Sequence, residues 1–184
     1  MTDHRTTPRR RDRSVNDDAW IAEFLNSVPL GTLTSAIDGQ PYPNLNTFVY
    51  DASTHALYMH TAGQGRFREE ILQNDKVSFA AARMGRLLPA DTAREFSVEY
   101  ESVVVFGRAS LVADQEFARE KMQMLIDKYF PHLTAGTDYR PITDREIDEI
   151  SVIRVDVEAW SAKRKHAADD FPGAFEFGQP PLRP

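Results

Sequence analysis

The feature that most constrains the fold is a glycine turn that lies between a short strand pattern and a helical pattern. Residues 55–60 alternate in polarity as a strand does, and a helical pattern follows the turn. The turn contains Gly63 and Gly65, and Arg66 and Arg68 come directly after it. Glycines let the backbone approach a ligand, amides at a helix start point towards it, and arginines add charge-assisted hydrogen bonds. The stretch fits a bound anion such as phosphate, and a plain turn with two solvated arginines fits it equally well.

Two common phosphate-binding motifs do not match this turn. A P-loop requires Gly-Lys followed by Ser or Thr, and that sequence does not occur here. A dinucleotide fingerprint requires a third glycine, and Arg68 stands at its position. The meaning of the turn therefore depends on the rest of the chain.

Length and composition restrict the classes of protein to which the chain can belong. The chain has 184 residues, of which 41% are hydrophobic, so we expect one domain with a well-packed core. The absence of cysteine excludes disulfides and thiolate chemistry, and we expect no metal site. A net charge of −6 argues against general affinity for nucleic acid. No apolar run reaches the ~20 residues that span a bilayer, so we expect a cytoplasmic protein without membrane association.

The N-terminal segment is basic. Residues 1–14 contain five arginines and two aspartates, in a sequence with several threonines and one proline. We expect residues 1–14 to be a disordered basic arm. Because no aromatic residues are interleaved with the arginines, we expect no nucleic-acid partner, and a DNA-associated regulator stays open as a minor alternative.

The remaining pattern is that of strands joined by tight turns, with few helices. Gly107, inside a long strand pattern, suggests a bulge that helps to close a barrel. Residues 85–96 lack periodicity, and we expect them to form a loop that could cover a pocket. The pattern predicts a mainly β fold with some α (α+β), a small antiparallel barrel of six strands with flanking helices. The predicted strands are residues 30–37, 42–50, 55–60, 76–84, 97–112 and 152–160.

Several short motifs then occur in an order and spacing typical of one family. The chain resembles the pyridoxamine 5′-phosphate oxidase-like FMN-binding split barrels over residues 9–168, and within them the nitroimidazole-resistance-like flavoproteins. The motifs that carry this resemblance are Arg10-Arg11-Asp12-Arg13, Gly39-Gln40-Pro41-Tyr42, His60-Thr61 with Gly63, Gly65 and Arg66, Asn74 with Val77 and Ser78, Tyr100 to Val103, Phe106 to Ala109, and Trp160 before Lys163.

The resemblance implies an arrangement of domains and partners. It implies that residues 15–168 form an FMN-binding split-barrel domain, a six-stranded antiparallel split barrel. It also implies a homodimer with two FMN molecules at the subunit interface, each with its phosphate in the glycine turn. Residues 169–184 contain Phe171, Phe175 and Phe177 between glycines and prolines, which by itself suggests an extended C-terminal tail laid across another surface.

The resemblance also implies which residues contact the flavin ring. Asn46, Thr47 and Phe48 lie on the strand that passes along the ring in this family. Ser102 matches a polar position near the isoalloxazine. Trp160 matches a tryptophan contributed by the partner subunit, and a core residue at the barrel end is the competing interpretation.

A second set of residues belongs to the phosphate end of the expected site. His60 and Thr61 lie there, Gly65 is part of the turn, and Arg66 matches the phosphate-binding arginine. After the tryptophan, a cation from Lys163, Arg164 or Lys165 could stabilise negative charge on reduced flavin, and a solvated strand end explains the three cations as well. No catalytic residue is identified from the sequence.

Two departures from the family pattern limit what the resemblance implies. Phe67 stands where many relatives have lysine, so we expect phosphate affinity to be weaker here or to be supplemented by Arg68. His166 and Asp169 occupy the places of an arginine and a histidine that bind substrate phosphate in the vitamin B6 oxidase, so we do not expect pyridoxamine phosphate as the substrate.

The expected function is FMN-dependent oxidoreduction, with hydride or electrons passed through the flavin to a small molecule such as a nitro compound or quinone. The alternative is a binding or sensing protein that holds a flavin, a deazaflavin or haem on the same barrel. Chemistry of this kind requires no acid–base pair from the protein, since the cofactor supplies it.

Overall fold

A computed structural model describes residues 5–180 of the chain. Residues 1–4 of the predicted arm and residues 181–184 of the predicted tail lie outside the described residues. The described residues form eight β-strands, four α-helices and one short 3-10 helix at Arg11–Arg13. The fold is therefore mainly antiparallel β with a few helices, and the predicted α+β class is confirmed.

The strands and helices follow one another in chain order with short connections. The strands are β1 (Ser14–Val15), β2 (Gly31–Ile37), β3 (Gln40–Asn46), β4 (Val49–Asp51), β5 (Ala56–Ala62), β6 (Lys76–Leu88), β7 (Ser97–Leu111) and β8 (Ile150–Lys165). The helices are α1 (Asp18–Ser27), α2 (Arg66–Gln73), α3 (Gln115–Tyr129) and α4 (Asp144–Asp148).

The sheet is a barrel that is split along one line. Its strands are hydrogen-bonded in the order β3-β2-β6-β7-β8-β5-β4, and β1 pairs with β8. The two end strands, β3 and β4, are consecutive in the chain and are joined only by Thr47 and Phe48. The chain itself thus connects the two edges of the sheet, without a hydrogen-bonded ladder between them.

The predicted count of six strands is wrong, and the split is the main reason. The predicted strand at residues 42–50 is divided, because its first part pairs with β2 and its last part pairs with β5. Alternation of side chains continues across the break, so the sequence pattern gives no sign of the change of partner. The eighth strand is β1, which is too short to produce a pattern.

The inward side chains of the strands fill the barrel. Phe48 and Phe79 meet edge to face at its centre, with ring centroids 4.6 Å apart. Burial of such side chains is worth about 1.5–3 kcal/mol each, so the core supplies much of the stability. Other fully buried members are Leu25, Leu33, Leu57, Met59, Val103, Val105, Ile153 and Val155.

The helices cover the barrel and are held by specific caps. Asp17 caps α1, and its carboxylate accepts from the amides of Ala19 and Trp20. The capping box at Thr143 and Glu146 is present at the start of α4. Helix α3 is tied to the barrel by Lys121, whose ammonium lies 2.8 Å from the buried carboxylate of Asp51. In the described part of the chain, no helix is long and apolar enough to cross a membrane.

The hairpin of β6 and β7 differs from the expected loop at residues 85–96. Strand β6 continues to Leu88, so only residues 89–96 form the connection. Arg86 and the buried Glu99 form an ion pair of 2.8 Å, and Arg86 also donates to the carbonyls of Ala168 and Asp169. Phe175 then forms an isolated β-bridge with Leu87. The described part of the C-terminal tail therefore lies against this hairpin.

The described part of the expected disordered arm also contacts the barrel. After the 3-10 helix, Ser14 pairs with Lys163, and Val15 pairs with Ala162. Arg5 forms an ion pair of 3.2 Å with Glu158. These contacts place the described part of the arm on the barrel surface.

The bulge expected at Gly107 is confirmed. Phe106 pairs with Ala159 but Gly107 pairs with Val157, so Glu158 is the extra residue of β8. A Cβ atom at Gly107 would lie 2.0 Å from the carbonyl oxygen of Asp156. Only glycine fits this close approach of two backbones.

We expect Gly107→Ala to lower the free energy of unfolding by roughly 1–3 kcal/mol, because the backbone must move to accept the methyl group. For a chain of this size that corresponds to a fall in Tm of about 2–4 °C per kcal/mol, measurable by thermal unfolding. Ser110→Ala, at an exposed position of the same strand, is the control and should change Tm little. Equal Tm values for the two variants would contradict the close approach.

Candidate functional site

The glycine turn opens into the N-terminus of α2, as the sequence predicts. Gly65 is the N-cap with φ of 133°, a conformation that favours glycine, and the amide of Gly63 donates to Glu149 O at 3.2 Å. The first bond of the helix runs from the amide of Glu69 to Gly65 O, at 3.2 Å. The amides of Arg66, Phe67 and Arg68 therefore have no partner within the helix, which is the arrangement that receives anions.

Arg66 is held in place beside this turn. Its Nε donates to the carboxylate of Glu70 at 2.6 Å, and its guanidinium stacks over the ring of Tyr42, with Cζ 4.1 Å from the centroid. Glu70 is buried and also accepts from the hydroxyl of Ser35. Burial opposes ionisation of Glu70, but the hydrogen bonds from Ser35 and Arg66 outweigh it and lower the pKa of Glu70. Arg66 is thus oriented by the fold while 60% of its side chain stays exposed.

The two neighbours of Arg66 have different surroundings. Phe67 is buried in the barrel and packs against Tyr42, so the residue at the family's lysine position serves the core. Arg68 donates from Nε to the hydroxyl of Ser151 at 3.1 Å. Of the two arginines, Arg66 is therefore the one that is exposed beside the turn, because Arg68 is bound to Ser151 of β8.

His60 and Thr61 point to opposite faces of β5, because side chains alternate along a strand. Thr61 shares the inner face with Met59, whereas His60 lies on the outer face towards α3. His60 keeps contact with solvent, yet its apolar surroundings lower the pKa of the imidazole. It lines a cavity of about 290 Å³ whose wall includes Met122, Ile126, Ile142, Ile147 and Ile150.

Another part of the predicted site lies on the outer face of the sheet. Ser102 and Lys163 are directly opposed on β7 and β8. Ser102 also lines a shallow groove of about 390 Å³ together with Leu45, the neighbour of Asn46. Within residues 5–180, the ammonium of Lys163 has no hydrogen-bond or ion-pair partner. The rest of the groove consists of small or apolar residues, among them Leu30, Gly31, Thr32, Ala80, Ala82 and Val104.

The three predicted residues at the split differ in what they can offer a ligand. Asn46 is buried, and its amide group donates to Asn44 O at 2.8 Å. Thr47 is half-buried at the break between β3 and β4. Phe48 is 0% exposed, and its ring lies in the core. The role of this segment beside a flavin ring stays a prediction.

Trp160 lies at the other end of the barrel from the glycine turn. Its Nε1 donates to Asp18 at 2.9 Å, and its ring packs on His55 with centroids 4.8 Å apart. His55 precedes β5 and Arg66 follows it, and the seven residues of β5 span roughly 20 Å. One chain therefore does not bring Trp160 and Arg66 together.

Several residues around these features were not found from the sequence. The spacing of Arg66 and Glu70, four apart on a helix, is a signal for an ion pair that could have been used. Ser35 and Tyr42 are opposite each other in the β2–β3 hairpin, and only the register shows that both reach α2. Among the described residues, no group of three or more metal-ligating side chains could hold a metal ion.

Comparison with known proteins gives one family. A family model described as pyridoxamine 5′-phosphate oxidase matches residues 17–164. No curated protein sequence matches the chain significantly.

Solved structures share the fold at low sequence identity. The flavocytochrome Anf3 from Azotobacter vinelandii has a TM-score of 0.79 and 22% identity, over 99% of this chain and 88% of that chain. An FAD- and haem-binding protein from Mycobacterium smegmatis has a TM-score of 0.76 and 18% identity, over 94% and 89% of the two chains. A candidate 5-nitroimidazole antibiotic resistance protein from Bacteroides thetaiotaomicron has a TM-score of 0.67 and 18% identity, over 82% and 85%. These likenesses show a common split-barrel fold.

Proposed function

Because the chain belongs to the pyridoxamine 5′-phosphate oxidase family, we propose that it binds FMN and passes hydride or electrons through it to a small molecule such as a nitro compound or quinone. The observation that carries the proposal is the open turn at α2, where unpartnered amides lie beside the oriented guanidinium of Arg66. This donor set suits a phosphate monoester.

The residues at the turn fit a phosphate in charge as well as in geometry. The ion pair with Glu70 uses the Nε–H of Arg66, one of the five N–H donors of a guanidinium, so the others remain for a ligand. Stacking on Tyr42 and the bond to Glu70 also fix the side chain before a ligand arrives, which reduces the entropy lost on binding. FMN is proposed rather than FAD because a terminal phosphate suits a helix N-terminus of this kind.

When bound, the flavin supplies the redox chemistry, and the protein supplies binding, orientation and charge. Lys163, whose ammonium is unpaired in the described part of the chain, is the residue best suited to stabilise negative charge near Ser102. His166 lies 3.3 Å from the carboxylate of Glu101, and Asp169 adds an acid, so this segment offers no second phosphate site. Pyridoxamine phosphate is therefore not proposed as the substrate.

A homodimer is part of the same proposal. Trp160 and Arg66 lie at opposite ends of one barrel, so a single pocket that uses both must take them from two chains. The outer face of the sheet carries small side chains, and Leu45 on it is 63% exposed. An exposed apolar sheet face of this kind suits a second copy.

The first test compares the two arginines. We expect Arg66→Ala to weaken FMN binding by about tenfold or more, because loss of a charge-assisted phosphate partner costs on the order of 1.5–3 kcal/mol. Arg68→Ala should have a smaller effect, since its guanidinium is bound to Ser151. Quenching of flavin fluorescence on titration measures both dissociation constants.

Riboflavin, which lacks the phosphate, is the control ligand for this comparison. Its affinity should be weaker than that of FMN and should change little in Arg66→Ala. Equal affinities for riboflavin and FMN in the unaltered chain would remove the glycine turn from the proposed site.

The second test concerns the shared pocket. If Arg66→Ala and Trp160→Ala chains each fail to hold FMN, a mixed dimer has one pocket with both defects and one with neither. Half of the sites in purified mixed dimers should therefore bind FMN again. If both residues served one pocket from one chain, every pocket would keep a defect. An intact mixed dimer without recovered binding would contradict the interfacial site.

Haem binding is a second candidate function, favoured by the cavity beside His60. His60 and Met122, two residue types that ligate haem iron, line the same mainly apolar cavity. The apolar surroundings of His60 lower the pKa of its imidazole, which favours the neutral form that ligates a metal. Two structural neighbours are described as a flavocytochrome and an FAD- and haem-binding protein.

The visible spectrum after addition of haemin tests this candidate. We expect His60→Ala to change the Soret band of the haem complex, whereas His132→Ala, at an exposed surface histidine, should not. Identical spectra for the two variants would exclude His60 as an axial ligand.

A further inference from the structure

The split in the barrel leaves the backbone of Phe48 between two strands. Phe48 is fully buried, so its N–H and C=O groups must be satisfied by the protein. The hydroxyl of Tyr129 accepts from the Phe48 N–H at 3.0 Å, and the ammonium of Lys128 donates to the Phe48 carbonyl at 2.8 Å. Two consecutive side chains of α3 thus take the place of the missing strand.

The same two side chains also hold the end of α1. Lys128 donates to Leu25 O at 3.0 Å, and the Tyr129 hydroxyl donates its hydrogen to Pro29 O at 2.6 Å. Lys128 further lies 3.8 Å from the centroid of the Phe48 ring. Lys128 and Tyr129 therefore join α3, the end of α1 and the backbone of Phe48 at the place where the sheet has no ladder.

Lys128 occupies a costly position for an ammonium group. Among the described residues it has no carboxylate partner, and burial lowers its pKa to about 8. A lysine without a counter-ion is retained in such a place only if its hydrogen bonds compensate for the lost hydration. A neutral amine would still donate to the two carbonyls, so the contacts do not depend on the charge alone.

We propose that Lys128 and Tyr129 act as positioning residues that hold the Asn46–Thr47 segment against the flavin ring. The inference rests on the proposed function. Thr47 directly precedes Phe48, whose backbone is held by Lys128 and Tyr129, the two residues that form the clamp. Thr47 itself lies outside both β3 and β4. Its backbone position is therefore set by Asn46 on one side and by the clamped residue on the other.

The proposal separates two kinds of effect on flavin affinity. The glycine turn acts on the phosphate, so its variants discriminate between FMN and riboflavin. The clamp acts on the segment proposed to lie along the ring, which both ligands share. Loss of the clamp should therefore weaken FMN and riboflavin binding by the same factor.

The experiment uses the full chain with three variants and one control. Tyr129→Phe and Lys128→Met remove the clamp contacts, and Lys128→Arg keeps a donor. Tyr58→Phe is the control, because it removes the hydroxyl bond of a buried tyrosine to Thr54, a bond that involves neither Phe48 nor Pro29. Dissociation constants for FMN and riboflavin, the visible circular dichroism of bound flavin, and amide exchange at Phe48 are measured.

We expect Tyr129→Phe and Lys128→Met to weaken both ligands by about fivefold or more, as for the loss of one buried hydrogen bond. Tyr129→Phe should also speed exchange of the Phe48 amide and change the dichroism of the bound flavin. Lys128→Arg should restore affinity, and Tyr58→Phe should leave all three readings near those of the unaltered chain.

The possible outcomes distinguish the two proposals. If the unaltered chain binds neither FMN nor riboflavin, the proposed function fails and the positioning role fails with it. If the unaltered chain binds flavin and Tyr129→Phe binds it as well as Tyr58→Phe does, only the positioning role is overturned. Should Tyr129→Phe fail to fold, Lys128→Met and its arginine counterpart decide the question by the same comparison.

Discussion

The structure depends on how the protein compensates for the missing hydrogen-bonded ladder between β3 and β4. A single stretch of chain supplies both edges of the sheet, and its two parts pair with different strands across Thr47 and Phe48. The unpaired backbone there is satisfied by side chains of α3, which in turn is tied to the β4–β5 turn through Lys121 and Asp51. Because each of these contacts requires the others, the helix and the opening of the barrel form one cooperative unit.

The break also explains why the predicted binding residues fall into separate groups. The glycine turn and Arg66 follow β5, whereas Trp160 packs near the residue that precedes this strand. Ser102 and Lys163 lie on the outer sheet face, beyond Trp160 along β8 from the glycine turn. A barrel of this size offers surfaces rather than a deep interior cavity, since its centre is filled by aromatic and branched side chains. Assembly is the simplest way to bring such surfaces around one ligand.

The sequence predicted the features that arise from local chemistry. Glycine at position 107 indicated the bulge, and the glycine turn indicated the exposed N-terminus of α2. The division of the strand at residues 42–50 could not be predicted, because alternation reports which side is buried and carries no information about the partner strand. The burial of the Phe48 ring and the contacts of Lys128 likewise depend on packing between distant segments.

One feature of β3 determines how another molecule can approach the opening. Pro41 and Pro43 lie in this edge strand, and proline has no backbone N–H to donate. The ladder to β2 is intact past both prolines, so the missing donors belong to the outward side of the strand. A strand that paired with this side would lack a backbone N–H donor at two positions. Extension of the sheet from this edge is therefore disfavoured. The β3 side of the opening is thus protected against edge-to-edge aggregation.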